Sequence, residues 1–239
     1  MEGPPAPHLT IYRDLVQGSD EWLAARCGML TASEMRLILT PTLKPASNDK
    51  ERAHLYELAA QRISGYVEPH YVSDDMLRGQ AEEIEARRYY AHHFAPVEEV
   101  GFVVNCRWGF ALGCSPDGFV GDDGMIEIKS RRARLQVQTI IENVGQDRGE
   151  TIPPEFVAQV QTALLVTERA WLDFVSFSGG LPMAVIRVWP DPAVQEAIVE
   201  TARAFEERIA ARIAAYREAM DGPARLVPTE RILFQDLIA

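Results

Sequence analysis

The sequence predicts one α/β domain with a mixed central β-sheet flanked by helices. Three observations predict it. Helical patterns fill the first third, strand patterns the middle, and two helices, two strands and one long helix follow. The chain has 239 residues, 47% of them hydrophobic, which suits a single sizeable core. No apolar run approaches the ~18–20 residues of a membrane span, and no charged-then-apolar leader opens the chain. We therefore read residues 1–239 as one domain, with an arm over 1–17, a core over 18–220 and a tail over 221–239. No internal repeat or low-complexity stretch interrupts it.

The elements are justified in order. Met1 to Pro7 is proline-rich and reads as an arm. Ser19 caps a short helix through Trp22 to Cys27, stopped near Gly28. Thr31 and Glu34 have the spacing of a capping box, opening a helix through Leu39. Pro41 to Ser47 is a loop. A helix from about Asn48 to Ser64 carries Leu55, Leu58, Ala59 and Ile63 on one stripe and ends at Gly65. Another runs from about Asp74, capped by Ser73, to Phe94, with Met76, Gly79, Ala86 and Tyr90 as its stripe and the Tyr90 hydroxyl left wet. Glu83 falls on that stripe, and a carboxylate there is costly unless it is paired or ligates a metal.

Val97 to Val104 is a strand interrupted near Gly101, and Phe110 to Gly113 leads into a hairpin. After it, Arg131 to about Asn143 is helical, with Leu135, Ile140 and Ile141 apolar, and Val144 to Pro153 is a polar loop containing Gly145 and Gly149. The next helix, Glu155 to about Thr167, presents Phe156, Val160, Ala163 and Leu164 to the core. Gln159 needs a specific hydrogen bond there; Gln161 is read as a surface residue. Strands Ala170 to Phe177 and Met183 to Trp189 follow. Asp191 and Pro192 then open a helix to about Met220 with a stripe from Val194 to Tyr216. The tail is too apolar at Leu226-Val227 and Ile232-Leu233-Phe234 to float free, and packs on its own domain or a neighbouring subunit.

The chemistry gathers in the hairpin. Ser115-Pro116-Asp117-Gly118 turns into one strand, Gly121-Asp122-Asp123-Gly124 turns again, and Ile126-Glu127-Ile128-Lys129 alternates. That alternation sends Glu127 and Lys129 to one face, within reach of Asp117. Solvated edge strands also carry such charges. The apolar flanks make these strands internal, where two acids and a lysine suit a divalent metal beside a phosphate. Burial lowers and carboxylates raise the pKa of Lys129, and the sequence leaves that balance open. The Thr31 helix start, with Ser33 and Arg26, reads either as an ordinary cap or as an anion site.

The net charge of −11 argues against a surface that binds nucleic acid everywhere. Lys129, Arg131, Arg132 and Arg134 form a local basic patch, read either as a solvated helix start or as a steering channel for a polyanion. Cys27, Cys106 and Cys114 lack metal-site or disulfide spacing and read as cytosolic thiols; three cannot supply an iron–sulfur cluster's four ligands.

Asp117 and Glu127-Ile128-Lys129 resemble the PD-(D/E)XK nuclease signature. With Trp22 to Arg26, Gly28, Thr31-Ala32-Ser33-Glu34, Gly79 to Glu83, Ala158 to Gln161 and Val166-Thr167, the finer pattern is similar to the lambda exonuclease, or YqaJ-like viral recombinase, family. The resemblance spans roughly Gly18 to Trp189. It implies a restriction-endonuclease-like core. It implies that Asp117, Glu127 and the Ile128 carbonyl ligate Mg²⁺, or Mn²⁺ in its place, with Glu83 holding a second ion. It implies that Lys129 positions or activates water, that Gln159 orients that water or Lys129, and that Arg26 and Ser33, with Thr31, bind a terminal phosphate. Arg131 and Arg132 are placed on the DNA. It further implies 5′-to-3′ digestion of one strand at double-stranded DNA ends, a homotrimeric ring, a single-strand annealing partner and a bacterial or phage-infected cytoplasm. An endonuclease of the same superfamily, or a catalytically silent binding protein, are the alternatives; the intact acid–lysine set argues against the last.

Overall fold

Asp117 sits where the chain passes between two sheets. A computed structural model describes residues 7–68, 74–144 and 150–231. The strands are β1 (Leu9–Tyr12), β2 (Leu30–Thr31), β3 (Phe102–Asn105), β4 (Leu112–Cys114), β5 (Gly118–Val120), β6 (Gly124–Ser130), β7 (Trp171–Phe177) and β8 (Ala184–Val188). The helices are α1 (Asp20–Arg26), α2 (Met35–Ile38), α3 (Asp49–Ser64), α4 (Asp74–His93), α5 (Ala133–Glu142), α6 (Pro154–Thr167) and α7 (Pro192–Asp221). The α/β class is as expected, with the strands shared between two four-stranded sheets, ordered β1-β3-β4-β2 and β5-β6-β7-β8. Each is mixed: β2 runs parallel to β4 and β6 parallel to β7, and the other pairs are antiparallel. β1 lies within the expected arm. It pairs Leu9–Tyr12 with Asn105–Phe102, an edge-strand role that its short, exposed pattern does not announce.

Local chemistry explains the helix ends. Ser19 Oγ accepts from Trp22 N, Asn48 Oδ1 from Lys50 N and Glu51 N, and Asp191 from Ala193 N and Val194 N. Gly65 closes α3 in the left-handed conformation that suits glycine. The Thr31 capping box does not form. Thr31 makes no cap bond, Ala32–Glu34 is a 3₁₀ turn, and α2 stops at Ile38.

The largest apolar cluster joins α2, α3, α6 and α7 to Met125, Leu172, Phe174 and Ile186. A second, under α4, contains Ala86, Tyr90, Ile126, Ile128, Val175 and Phe177. β6 is thus sandwiched between α6 and α4, and its alternating side chains serve both faces. Burying Leu55, Leu58, Ile198, Phe205 and their like, at about 1.5–3 kcal/mol each, fixes α3 and α7 as the outer wall.

Several expectations are corrected. Gln161 is 4% exposed, because its amide donates to Trp189 O and accepts from Asp191 N, tying α6 to the start of α7. Tyr90 is 1% exposed and its hydroxyl is dry, donating to Asp173 Oδ2 at 2.6 Å. α5 buries Gln136 and Thr139 and leaves Ile141 exposed, because Gln136 donates to the Ser176 and Pro182 carbonyls. The α7 stripe is buried only to Ile209, and Tyr216 is exposed. Ile63 of α3, Leu226 and Val227 are exposed in the single chain. Ser73, Gly145, Gly149, most of Met1 to Pro7, Ile232-Leu233-Phe234 and the Met76 side chain lie outside the described residues. Among the described residues, no helix is long and apolar enough to cross a membrane.

Candidate active site

The β6 alternation places the site. Ile126 and Ile128 go into the α4-side cluster, so Glu127 and Lys129 face α6. Lys129 Nζ and Gln159 Nε2 both donate to Glu127 Oε1, each at 2.6 Å. Gln159 thus finds the specific bond that its place on α6 demands. Asp117 ends the three-residue link from β4 to β5, and its Oδ2 accepts from Ile128 N at 2.5 Å. The link is tight: a Cβ on the next residue, Gly118, would come within 2.1 Å of Val97 Cγ1. From α4, Glu83 Oε1 accepts from Arg87 at 2.6 Å, and Arg87 also pairs with Glu99.

Carboxylates crowd one another here. Burial raises the Asp117 carboxyl well above the usual range, and Glu127 and Glu83 raise it further. Burial raises Glu83 too, with Arg87 opposing. Burial alone would lower the Lys129 ammonium; Glu127 and Asp117 outweigh it, so its pKa is raised. In the metal-free protein the balance left open by the sequence therefore falls to the carboxylates, which favour the charged ammonium.

Arg26, Thr31 and Ser33 lie beside this set. Arg26 stacks on Trp22, 4.4 Å from the ring centroid. Its Nη2 is 3.4 Å from both Thr31 Oγ1 and Glu34 Oε1. Thr31 Oγ1 donates to Glu34 Oε2 at 2.6 Å and lies 3.3 Å from Ser33 Oγ. Trp22 Nε1 donates to Ser115 Oγ at 2.8 Å, joining this group to the Asp117 turn. A single cavity of about 220 Å³ is lined by Arg26, Thr31, Ser33, Glu83, Asp117, Glu127, Ile128, Lys129 and Gln159. A larger cavity of about 690 Å³, between α3 and α7, holds Tyr56, Ile63 and Tyr216 but no comparable acid–lysine set.

Two expected residues are not brought in. Arg131 is 7% exposed, paired with Glu155 at 3.3 Å and stacked over Phe156, and Arg132 is exposed at the head of α5. Neither lines the cavity. Trp22, Ser115 and Glu34 do more than their sequence readings as a helix residue, a turn and a cap. A buried indole beside an arginine was the available signal for Trp22; nothing local marked Ser115.

The donor set fits a hard divalent cation. Among the described residues no three of His, Cys, Asp and Glu form a group placed to hold a metal ion. Mg²⁺ does not ask for three, since it binds through one or two carboxylates and retains water or substrate oxygens. Asp117 and Glu127 each commit one oxygen to a protein donor, leaving the other, and a cation would relieve the repulsion that Glu127 and Glu83 impose on Asp117.

Two mixed sheets joined at an acidic turn, with Glu-Ile-Lys on the adjoining strand, define a PD-(D/E)XK-like fold. The model of the YqaJ-like viral recombinase domain matches residues 21–170, and the chain belongs to that family. Among solved structures it is similar to an alkaline exonuclease (LHK-Exo) from Laribacter hongkongensis. Identity is 31% and the TM-score 0.71, covering 85% of this chain and 98% of that one. The same exonuclease in complex with dAMP matches at 32% identity and TM-score 0.72, over 85% and 99%. A phage related exonuclease from Haemophilus somnus 129PT, at 13% identity and TM-score 0.53 over 79% and 96%, shares the fold. No curated protein sequence matches.

Proposed function

We propose that this protein is a metal-dependent 5′-to-3′ exonuclease that digests one strand of duplex DNA for recombination. The observation that supports the reading is one cavity lined by Arg26, Thr31 and Ser33 and also by Asp117, Glu127 and Lys129. Asp117, Glu127 and the Ile128 carbonyl hold Mg²⁺, with Glu83 toward a second ion. Bound divalent ions supply charge stabilisation on the phosphoryl oxygens and a nucleophile at neutral pH. Lys129, donating to Glu127, orients the attacking water and offsets charge on the scissile phosphate. Gln159 fixes the Glu127 carboxylate on which Lys129 rests. Arg26, with Thr31 and Ser33, receives the 5′-terminal phosphate in exchange for its contact with Glu34. The related exonuclease was crystallised with dAMP, a deoxynucleoside monophosphate, which is the product class such a reaction releases.

A homotrimeric ring is the assembly the family resemblance supports, and a ring holds DNA without a basic exterior. That accommodates the −11 charge. A single-strand annealing protein is the proposed partner, and the cytoplasm the proposed location. The test is incubation with Mg²⁺ of linear duplex bearing 5′-phosphate, linear duplex bearing 5′-hydroxyl, and covalently closed circles. The reading requires fast, slow and no digestion respectively; cutting of closed circles contradicts it.

A further inference from the structure

Phe156 stands three residues before Gln159 on α6, one helical turn away and facing the same strand. Lys129 Nζ lies 5.5 Å from the Phe156 ring centroid, and Arg131 Cζ 5.1 Å from it. Lys129 and Arg131 are two apart on one face of the chain leaving β6, so one ring serves both cations. The ring is itself fixed, packed against buried Phe174 at 5.3 Å. Arg131 has few other partners: Glu155 at 3.3 Å, while its buried Nε has no hydrogen bond. An aromatic face carries negative charge density and attracts a cation within about 6 Å.

The chain contains three lysines, Lys44, Lys50 and Lys129, and carries arginine at every other cationic position except histidine. An ammonium is a compact charge on a flexible stem, with none of the planar fork that fixes arginine. Lys129 therefore needs walls. Glu127 supplies one on the strand side.

We infer that Phe156 is a positioning residue: its ring is the second wall that holds the Lys129 ammonium in the site, and it carries the charge of Arg131 beside it. Deleting the ring leaves Lys129 tethered only at Glu127 and Arg131 only at Glu155. This rests on the reading of Lys129 as a working group of a nuclease, so the test has one readout that does not need activity.

Phenylalanine at 156 is replaced by its mono-, di- and trifluorinated forms, which keep the ring's shape while draining its π density, and by Leu (Phe156→Leu). The full chain is acylated with an amine-reactive ester and the three lysines are followed by mass spectrometry, Lys44 and Lys50 serving as internal references. The expected result is a stepwise rise in Lys129 labelling with fluorination, reaching about 2- to 30-fold. In parallel, kcat on 5′-phosphorylated duplex falls by a similar factor while KM stays constant, and Tm falls by about 1–8 °C across the fluorinated series. Lys129 labelling that stays flat from phenylalanine to trifluorophenylalanine overturns the inference. Labelling that rises in a chain whose parent digests no DNA upholds the positioning and removes the nuclease reading instead.

Discussion

Replacing Lys129 by alanine separates the two duties assigned to it. In the metal-free protein Lys129 balances Glu127, whose side chain is 5% exposed against 23% for the lysine. Removing one partner of a fully buried pair costs about 3–5 kcal/mol. Partial exposure of Lys129 and the remaining Gln159 bond reduce that to about 2–3 kcal/mol. For a chain of this size each kcal/mol moves Tm by about 2–4 °C, so Lys129→Ala melts about 4–12 °C lower in chelator. The raised ammonium pKa sets the pH sign. The pair's stability is fully present below the unfolded lysine value of 10.5 and is lost as pH rises through the folded value. The deficit of the variant therefore holds at neutral pH and closes in strong alkali. Mg²⁺ restores more Tm to the variant than to the parent, because it replaces the missing charge at the carboxylates. Activity with Mg²⁺ falls by about 10²–10⁴-fold. Scanning calorimetry with and without Mg²⁺, beside a digestion assay, checks all of this. A variant with unchanged Tm in chelator and full activity would refute the assignment.

Asp117→Asn has the opposite sign. Burial, Glu127 and Glu83 raise that carboxyl in the folded state, so its charged form opposes folding above the ordinary carboxylate range and the cost is relieved as pH falls. The variant gains about 0.5–2 kcal/mol in chelator at neutral pH, gains less in acid, and has no activity; equal melting at pH 7 and pH 4 would contradict this. Arg26→Ala abolishes the preference for 5′-phosphorylated over 5′-hydroxyl ends while leaving Mg²⁺ binding intact, read from paired digestion rates and calorimetric titration. Tyr90→Phe removes a buried hydrogen bond to Asp173 that anchors α4, and with it Glu83, to β7. It lowers stability by about 1.5–3 kcal/mol in urea denaturation.

The hairpin was legible because strand periodicity is strict: once Ile126 and Ile128 are assigned to a core, Glu127 and Lys129 have only one face left. Gln159 was legible as a polar side chain on an apolar helix face. Gln161, two residues on, shows the limit of that reasoning. Its partners are the backbone at Trp189 and Asp191, and no local pattern records a contact across that many residues. The same holds for Tyr90 with Asp173 and Trp22 with Ser115, pairs brought together only by tertiary packing. The division into two sheets was hidden for a related reason. Ser115-Pro116-Asp117 reads as a turn whether the strands beside it pair with each other or diverge, and here β4 and β5 diverge. The Thr31 capping box failed because Glu34 spends its carboxylate on Thr31 and Arg26, an interaction that serves the cavity rather than the helix.

In the proposed mechanism a single site engages the 5′ terminus and hydrolyses the adjacent phosphodiester. The most direct measurement uses linear duplex labelled at its 5′-phosphate, with Mg²⁺, and identifies the labelled species at the earliest times. The expected result is labelled mononucleotide released at once, with the complementary strand left intact. Label retained in oligonucleotides that shorten from the other end, or in internal fragments, would contradict it.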